Sequence, residues 1–262
     1  MIRAVEEAGL ESLRCFCNSC GGPFACRIQS LADAYGTGLP FARFWLQEID
    51  GYPVAAVSAL DHAFCLCTAP HCGWEELSDF LRAVDAVEIL CDPVSLKKLS
   101  FLPSGRGEIL LQETPLSQTL PDGYSFEKNP SPRKIHVLLE LCREPGFAPP
   151  EFEPFYLDLS HRMRHGAARA VGISDVSGQL AACAVASSEI EKSAVISAVA
   201  CRPDARNRGL GSAAIQILSG WLARPVYVFC TFERSIFYQK MGFSSWGEWR
   251  ESILEESLPI KI

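Results

Sequence analysis

The sequence lacks any apolar run approaching the ~18 residues of a membrane-spanning helix, and its opening Met-Ile-Arg-Ala-Val-Glu-Glu has no secretory apolar core. No membrane partner and a cytoplasmic location are the expectations. It also lacks a basic face. Lys and Arg number 24 against 31 Asp and Glu, for a formal charge of −7. Residues 1–110 carry 8 basic against 14 acidic side chains, whereas residues 111–262 carry 16 against 17. A nucleic-acid partner needs a basic stripe, so none is expected. A paired zinc-ribbon pattern is missing as well. Cys17-Asn18-Ser19-Cys20-Gly21-Gly22 resembles a zinc knuckle, but no second C-x-x-C follows it, and the helix-like context of Leu10 to Phe16 spoils ligand geometry at Cys15 and Cys17. The remainder of that cluster (Cys26) and the looser Cys65, Cys67, Cys72 group read as reduced thiols, and Cys183, Cys201 and Cys230 as small core residues. No metal is expected.

Two nucleotide-binding fingerprints are absent too, and their absence narrows the most informative stretch of the chain. Arg206-Asn207-Arg208-Gly209-Leu210-Gly211-Ser212 lies between a β-branched apolar run, Ala194 to Cys201, and an amphipathic run that places Ala214, Ile217, Leu218, Trp221 and Leu222 on one stripe. Strand, glycine loop and helix together aim unpaired backbone N–H groups at an anion. Gly209 and Gly211 leave room for a pyrophosphate, and Arg206 and Arg208 add positive charge. The loop does not end in Gly-Lys-Ser/Thr, so it is not a Walker loop. The third glycine of the dinucleotide fingerprint is also missing, although Glu233 follows the next strand.

The segment closely resembles the R-x-x-G-x-G loop of the GNAT superfamily of acyl-CoA-dependent N-acyltransferases. A second motif, Ser235-Ile236-Phe237-Tyr238-Gln239-Lys240-Met241-Gly242-Phe243, resembles the F-Y-x-K-x-G-F signature of the same family. The resemblance implies an acetyl-CoA site in which the amides of Asn207, Arg208, Gly209, Leu210, Gly211 and Ser212 bind the pyrophosphate, with Arg206 beside them. It implies a strand that splays from its neighbour so that backbone around Val199, Ala200 and Cys201 meets the pantetheine arm. It makes Tyr238 the acid that protonates the departing thiolate. A phenol of pKa ~10 can do so only when held in contact with the sulfur. Thr231 stands where many members carry Asn, and is a further candidate contact to the cofactor.

Length favours two domains of about 130 residues. A polar connector, Thr114 to Thr119, separates 1–118 from 119–262. The second half runs strand, two helices, three antiparallel strands, helix, strand, helix, strand, which is the GNAT order. Ser131 and Asp92 are expected helix N-caps. The first half repeats the order in weakened form, and Ala69-Pro70-His71-Cys72-Gly73-Trp74 occupies the place of the phosphate loop without its arginine or its G-x-G. The fold class expected is α/β with a mixed sheet, as two tandem GNAT-like domains, the first a degenerate copy that shapes the acceptor site, packs on the active half or forms a homodimer.

The function implied is direct transfer of acetyl from acetyl-CoA to an amine of a small-molecule or amino-acid-like acceptor. The alternative is a non-catalytic module that holds acyl-CoA as a sensor. No general base stands out. Glu189 and Glu191 read as solvated charges at a hairpin tip. Water leading to a backbone carbonyl, or His161 or His165, remain as candidates, and Arg162 and Arg164 could receive an acidic acceptor.

Overall fold

The computed structural model describes residues 1–117, 119–144 and 147–253. The position 118 at which the expected boundary falls, and the last nine residues of the expected second domain (254–262), lie outside them. Within them the chain divides into two compact units. The first comprises Met1–Ile109, Cys230–Glu233 and the last strand from Trp246, and the second Leu110–Phe229 and Arg234–Ser245. Among the described residues no helix is long and apolar enough to cross a membrane.

The elements in chain order are β1 (Ile2–Ala4), α1 (Leu10–Cys20), α2 (Gly22–Tyr35), β2 (Ala42–Ile49), β3 (Tyr52–Leu60), β4 (Ala63–Thr68), α3 (Trp74–Ala83), β5 (Glu88–Cys91), α4 (Pro93–Leu99) and β6 (Pro103–Gln112). They continue with β7 (Ser125–Lys128), α5 (Pro132–Leu141), α6 (Phe152–Arg164), β8 (Arg169–Ser174), β9 (Leu180–Glu189), β10 (Ala194–Cys201), α7 (Leu210–Leu222), β11 (Val226–Cys230), α8 (Ser235–Gln239) and β12 (Ser244–Ile253).

In the first unit the strand order is β1-β2-β3-β4-β5-β12-β6. Leu66, Leu77, Leu81, Ile89 and Leu99 form the dry core under α3 and α4. Asp92 caps α4 as its sequence suggests, accepting from the amides of Val94 and Ser95. Periodicity does not announce β6, because Pro103-Ser-Gly-Arg-Gly has the composition of a loop. The reason for its glycines is spatial. A Cβ on Gly107 would lie 2.1 Å from the Cys230 carbonyl oxygen, beside the Trp249 indole that donates to that same oxygen at 3.1 Å.

In the second unit the order is β11-β10-β9-β8-β7. β9 is an alanine-rich strand buried on both faces, which explains its continuous apolar run. On one side Ile135, Leu138, Leu139 and Leu159 of α5 and α6 pack on Cys183, Val185 and Ala200. On the other side α7 packs on β8, β9 and β10. Ser131 caps α5 by accepting from Lys134 N at 3.3 Å. The buried face of α7 is displaced from the stripe expected from periodicity: Ala214, Leu218 and Leu222 are buried, but Ile217 and Trp221 are only half-buried. Gln216 lies inside the buried face, 4% exposed.

Candidate functional site

The site begins with an irregularity in β10. Its parallel pairing with β11 covers Ala194–Ile196 opposite Val226–Val228. Its antiparallel pairing with β9 continues to Cys201, with register shifts on both sides of Ile196. A bulge adds twist and bend to a strand, and beyond it β10 keeps one neighbour where it had two. Backbone on that side no longer has a strand partner, and there the Cys201 carbonyl accepts from Cys142 Sγ at 3.3 Å.

The loop after β10 enters α7 through two left-handed residues, Asn207 (φ 63°) and Gly209 (φ 77°). Asn is among the few side chains that tolerate that region, and glycine adopts it without strain. Gly209 is the N-cap and no side chain caps the helix. The first-turn amides of Leu210, Gly211 and Ser212 therefore have no partner within their own helix and sit at the positive end of its dipole. A Cβ on Gly211 would meet the Phe237 ring at 3.7 Å.

Strand, loop and α8 border one cavity of about 500 Å³, lined by Val199, Ala200, Cys201, Arg206, Asn207, Gly209, Leu210, Gly211, Ser212, Phe237 and Tyr238, together with Cys142, Glu144, Phe147 and Arg234. Tyr238 is 7% exposed, and the rings of Phe237 and Phe243 meet its ring edge-on at 5.1 and 5.7 Å. Its turn is fixed from within. The Met241 carbonyl accepts from Gln112 Nε2 at 2.6 Å and Gln216 Nε2 at 2.8 Å, while Gln216 Oε1 accepts from Leu116 N at 2.7 Å. One buried amide on α7 thus ties that helix to the turn that carries Tyr238.

At the mouth, Glu144 bridges two arginines, Arg206 at 3.1 Å and Arg234 at 4.0 Å. Arg206 also donates to the Cys201 carbonyl at 3.3 Å. Arg202, one residue past β10, pairs with Asp204 at 2.6 Å and Asp175 at 2.9 Å. Hydrogen bonds from Ser177 and Arg202 hold the Asp175 carboxyl down to about 2. Sequence reasoning missed Arg234, Glu144 and Cys142, because only the fold brings α5, its following turn and the segment before α8 to one cavity.

Other sequence candidates are placed elsewhere. Arg208 turns from the lining to donate to Tyr124 Oη at 3.1 Å and Asp204 O at 3.3 Å. Thr231 is exposed, belongs to the first unit's Cys230–Glu233 segment, and is outside the lining. His161 and His165 stack on each other at 4.1 Å along α6, away from the lining. Arg162 is buried against Asp158 at 2.7 Å and the Ser187 carbonyl at 3.2 Å, so it is a structural cation. Glu189 corrects the expectation of a solvated turn charge. It is 6% exposed and clasped by Arg169 at 2.9 Å and Arg224 at 3.3 Å. Burial raises its carboxyl, against the pull of both arginines. It pairs with Ala194, at the end of β10 opposite the cavity.

Residues 134–243 match the acetyltransferase (GNAT) family. No curated protein matches the sequence. Among solved structures, a tandem GNAT protein from the clavulanic acid biosynthesis pathway is similar at 16% identity and a TM-score of 0.63, covering 96% of this chain and 97% of its own. A GCN5-related N-acetyltransferase from Sphaerobacter thermophilus is similar at 16% identity and a TM-score of 0.65, with coverages of 96% and 94%. A GNAT-family acetyltransferase from Colwellia psychrerythraea shares 12% identity at a TM-score of 0.56, with coverages of 97% and 98%. At these identities the structures speak to fold, and the loop-bearing half is matched by sequence. Residues 134–243 thus carry the match to the acetyltransferase (GNAT) family, and the chain as a whole shares the fold of these tandem and GCN5-related proteins.

Proposed function

We propose that this acyltransferase moves acetyl from acetyl-CoA to the primary amine of a small-molecule or amino-acid-like acceptor, with both substrates bound at once. The observation that carries the reading is the single cavity shared by the loop, the splayed end of β10 and Tyr238. Its chemistry fits the cofactor. Uncapped amides and Arg206 suit a pyrophosphate, and unpaired strand backbone suits the amides of a pantetheine arm. In this reading Asn207 to Ser212 hold the pyrophosphate, Val199 or Ala200 donates a backbone N–H to the thioester oxygen as charge develops there, and Tyr238 protonates the leaving sulfur. Holding both reactants supplies most of the remaining acceleration. Among the described lining residues Glu144 is the one carboxylate, and two arginines occupy it. We therefore assign removal of the ammonium proton to water leading to a backbone carbonyl. The Arg208 side chain and Thr231 are given no part.

The test is unfolding temperature with acetyl-CoA, CoA or NAD, followed by thiol release with a pool of amines. CoA species are expected to stabilise the protein and NAD not to, with thiol release that depends on amine. Stabilisation with no turnover across wide amine pools would favour an acyl-CoA sensor. Indifference to every CoA species would overturn the assignment of the loop.

A further inference from the structure

The turn that carries Tyr238 is weak on its own and is held from the interior of the second unit. α8 spans five residues, Ser235–Gln239, and no side chain caps it. A helix that short does not persist without tertiary contacts. After it, Met241 N and Phe243 N donate to the Tyr238 carbonyl at 2.9 and 3.3 Å, and Gly242, left-handed at φ 86°, turns the chain. The carbonyl of that same Met241 takes two further donors, Nε2 of Gln216 at 2.8 Å and Nε2 of Gln112 at 2.6 Å. Gln216 Oε1 meanwhile accepts from Leu116 N at 2.7 Å and from Gln112 Nε2 at 3.3 Å. A carbonyl only accepts and a backbone N–H only donates, so Met241 and Leu116 admit the Gln216 amide in one orientation. Gln112 and Gln216 are 1% and 4% exposed, and Gln112 Oε1 is buried with no hydrogen-bond partner among the described residues. Apolar side chains of the same volume would fill this space without stranding an acceptor, so packing does not account for two glutamines. What they supply that leucine or methionine cannot is a fixed direction for the Met241 peptide.

We propose that Gln216, seconded by Gln112, is a positioning residue for Tyr238: through the Met241 peptide it fixes where the phenol sits in the cavity. This deepens the acyltransferase reading and rests on Tyr238 as the acid for the leaving sulfur. Neither glutamine belongs to the cavity lining, so both act through the turn. The path is short. Gln216 holds the Met241 carbonyl, Met241 N holds the Tyr238 carbonyl, and the rings of Phe237 and Phe243 meet the Tyr238 ring edge-on. A proton passes only at hydrogen-bond distance, and a displacement of about 1 Å costs about 10²-fold in rate. Gln216 is also the seventh residue of α7, about two turns from its uncapped N-terminus. One helix therefore sets both the amides assigned to the pyrophosphate and the acid assigned to the thiolate. The separation of the two is fixed by helix geometry rather than by loop packing.

The experiment compares the full-length chain with Gln216→Met, which keeps the side-chain length and removes both amide functions, alone and combined with Tyr238→Phe. Gln216→Met is expected to keep its stabilisation by acetyl-CoA and a KM for acetyl-CoA within about 3-fold, while kcat falls by about 10–10²-fold. Combined with Tyr238→Phe, the same substitution is expected to lower kcat by less than about 2-fold, because residues that act through one group are non-additive. A loss of equal size in both backgrounds, or a lower melting temperature with kcat unchanged, would overturn the proposal in favour of a structural role. A second readout needs no turnover. In protein labelled with 3-fluorotyrosine, the Tyr238 fluorine line, identified by its absence in Tyr238→Phe, is expected to shift or split in Gln216→Met. An unmoved line would overturn the proposal. A moved line, in a protein whose wild type shows no amine-dependent thiol release, would instead overturn the acyltransferase reading and leave the positioning of the ring standing. If Gln216→Met fails to fold, Gln112→Met, which leaves the Gln216 donor in place, takes the same measurements with the same overturning outcomes and smaller losses expected.

Discussion

The two halves of this chain contain the same local construction and finish it differently. In the second unit β10 loses its parallel neighbour after three pairs, Ala194 to Ile196, and the resulting opening is lined by Tyr238. In the first unit β4 likewise pairs in parallel with β5 over three residues, Ala63 to Cys65. Beyond them Thr68 Oγ1 meets Ser95 Oγ at 2.9 Å, and Ser95 Oγ donates to the Asp92 carboxylate that caps α4. A chain of hydrogen bonds stands where the other half has a cavity. The helix starts differ in the same way. Neither α7 nor α3 has a side-chain cap, but at α3 the buried Gln47 ties down the N-cap residue itself, accepting from Gly73 N at 2.9 Å and donating to Gly73 O and Glu76 at 2.8 and 2.9 Å. A splayed strand and a helix N-terminus make a binding site only when the protein leaves their polar groups unsatisfied. In the first half Gln47 holds the N-cap glycine and Thr68, Ser95 and Asp92 bond one another, so we expect no CoA there.

The largest test of this contrast is Tyr238→Phe. Its kcat is expected to fall by about 10²–10⁴-fold, while stabilisation by acetyl-CoA persists. Undiminished turnover would remove Tyr238 from the chemistry and leave the cavity a binding feature only. Gln47→Ala is the reciprocal test in the first half. Removing one buried partner from Gly73 is expected to cost about 1–3 kcal/mol of unfolding free energy, read by denaturant melts, with acetyl-CoA affinity unchanged. A gain of CoA binding to the first half, counted by calorimetric stoichiometry, would mean that Gln47 was all that blocked a second site.

Smaller effects separate how the two helix starts are held. Glu144→Gln is expected to tighten acetyl-CoA binding by a few-fold at most, since it frees Arg206 from an exposed ion pair worth about 0–1 kcal/mol. Raising the salt concentration is expected to narrow that gap, and weaker binding in the variant would count against Glu144 as a competitor for the anion. The smallest effect concerns pH. The folded Asp175 carboxyl titrates at about 2, below its ordinary 3.8, so its contribution is full above the unfolded value and is lost as pH falls toward 2. Wild type and Asp175→Asn are expected to differ in melting temperature near neutrality and to converge near pH 2. A gap that persists there would place the cause in turn packing rather than in charge.

What could be read from the sequence was local. Gly209 and Gly211 advertise a backbone that only certain loops need, Tyr238 sits in a short signature, and Ser131 and Asp92 cap the helices they precede. What could not be read depends on residues brought together from a distance. Gln216 looks like a solvated helix residue until Met241 O and Leu116 N arrive beside it. Glu189 looks like a turn charge until Arg169 and Arg224 close on it. The glycines of β6 look like a linker because the Cys230 carbonyl and the Trp249 ring that demand them lie more than a hundred residues downstream.

The strand order of the first unit carries a consequence for how the chain is made. Between β5 and β6, both complete before residue 113, lies β12, which begins at Ser244. A ribosome releases the N-terminal half long before that strand exists. For the whole intervening stretch of synthesis, β5 and β6 each present a bare row of backbone donors and acceptors, the feature that invites edge-to-edge aggregation. The first half is thus the last to be finished. Its solubility during translation depends on the residues of the second half emerging in time, and a gene cut between the halves yields a sheet with a missing rung.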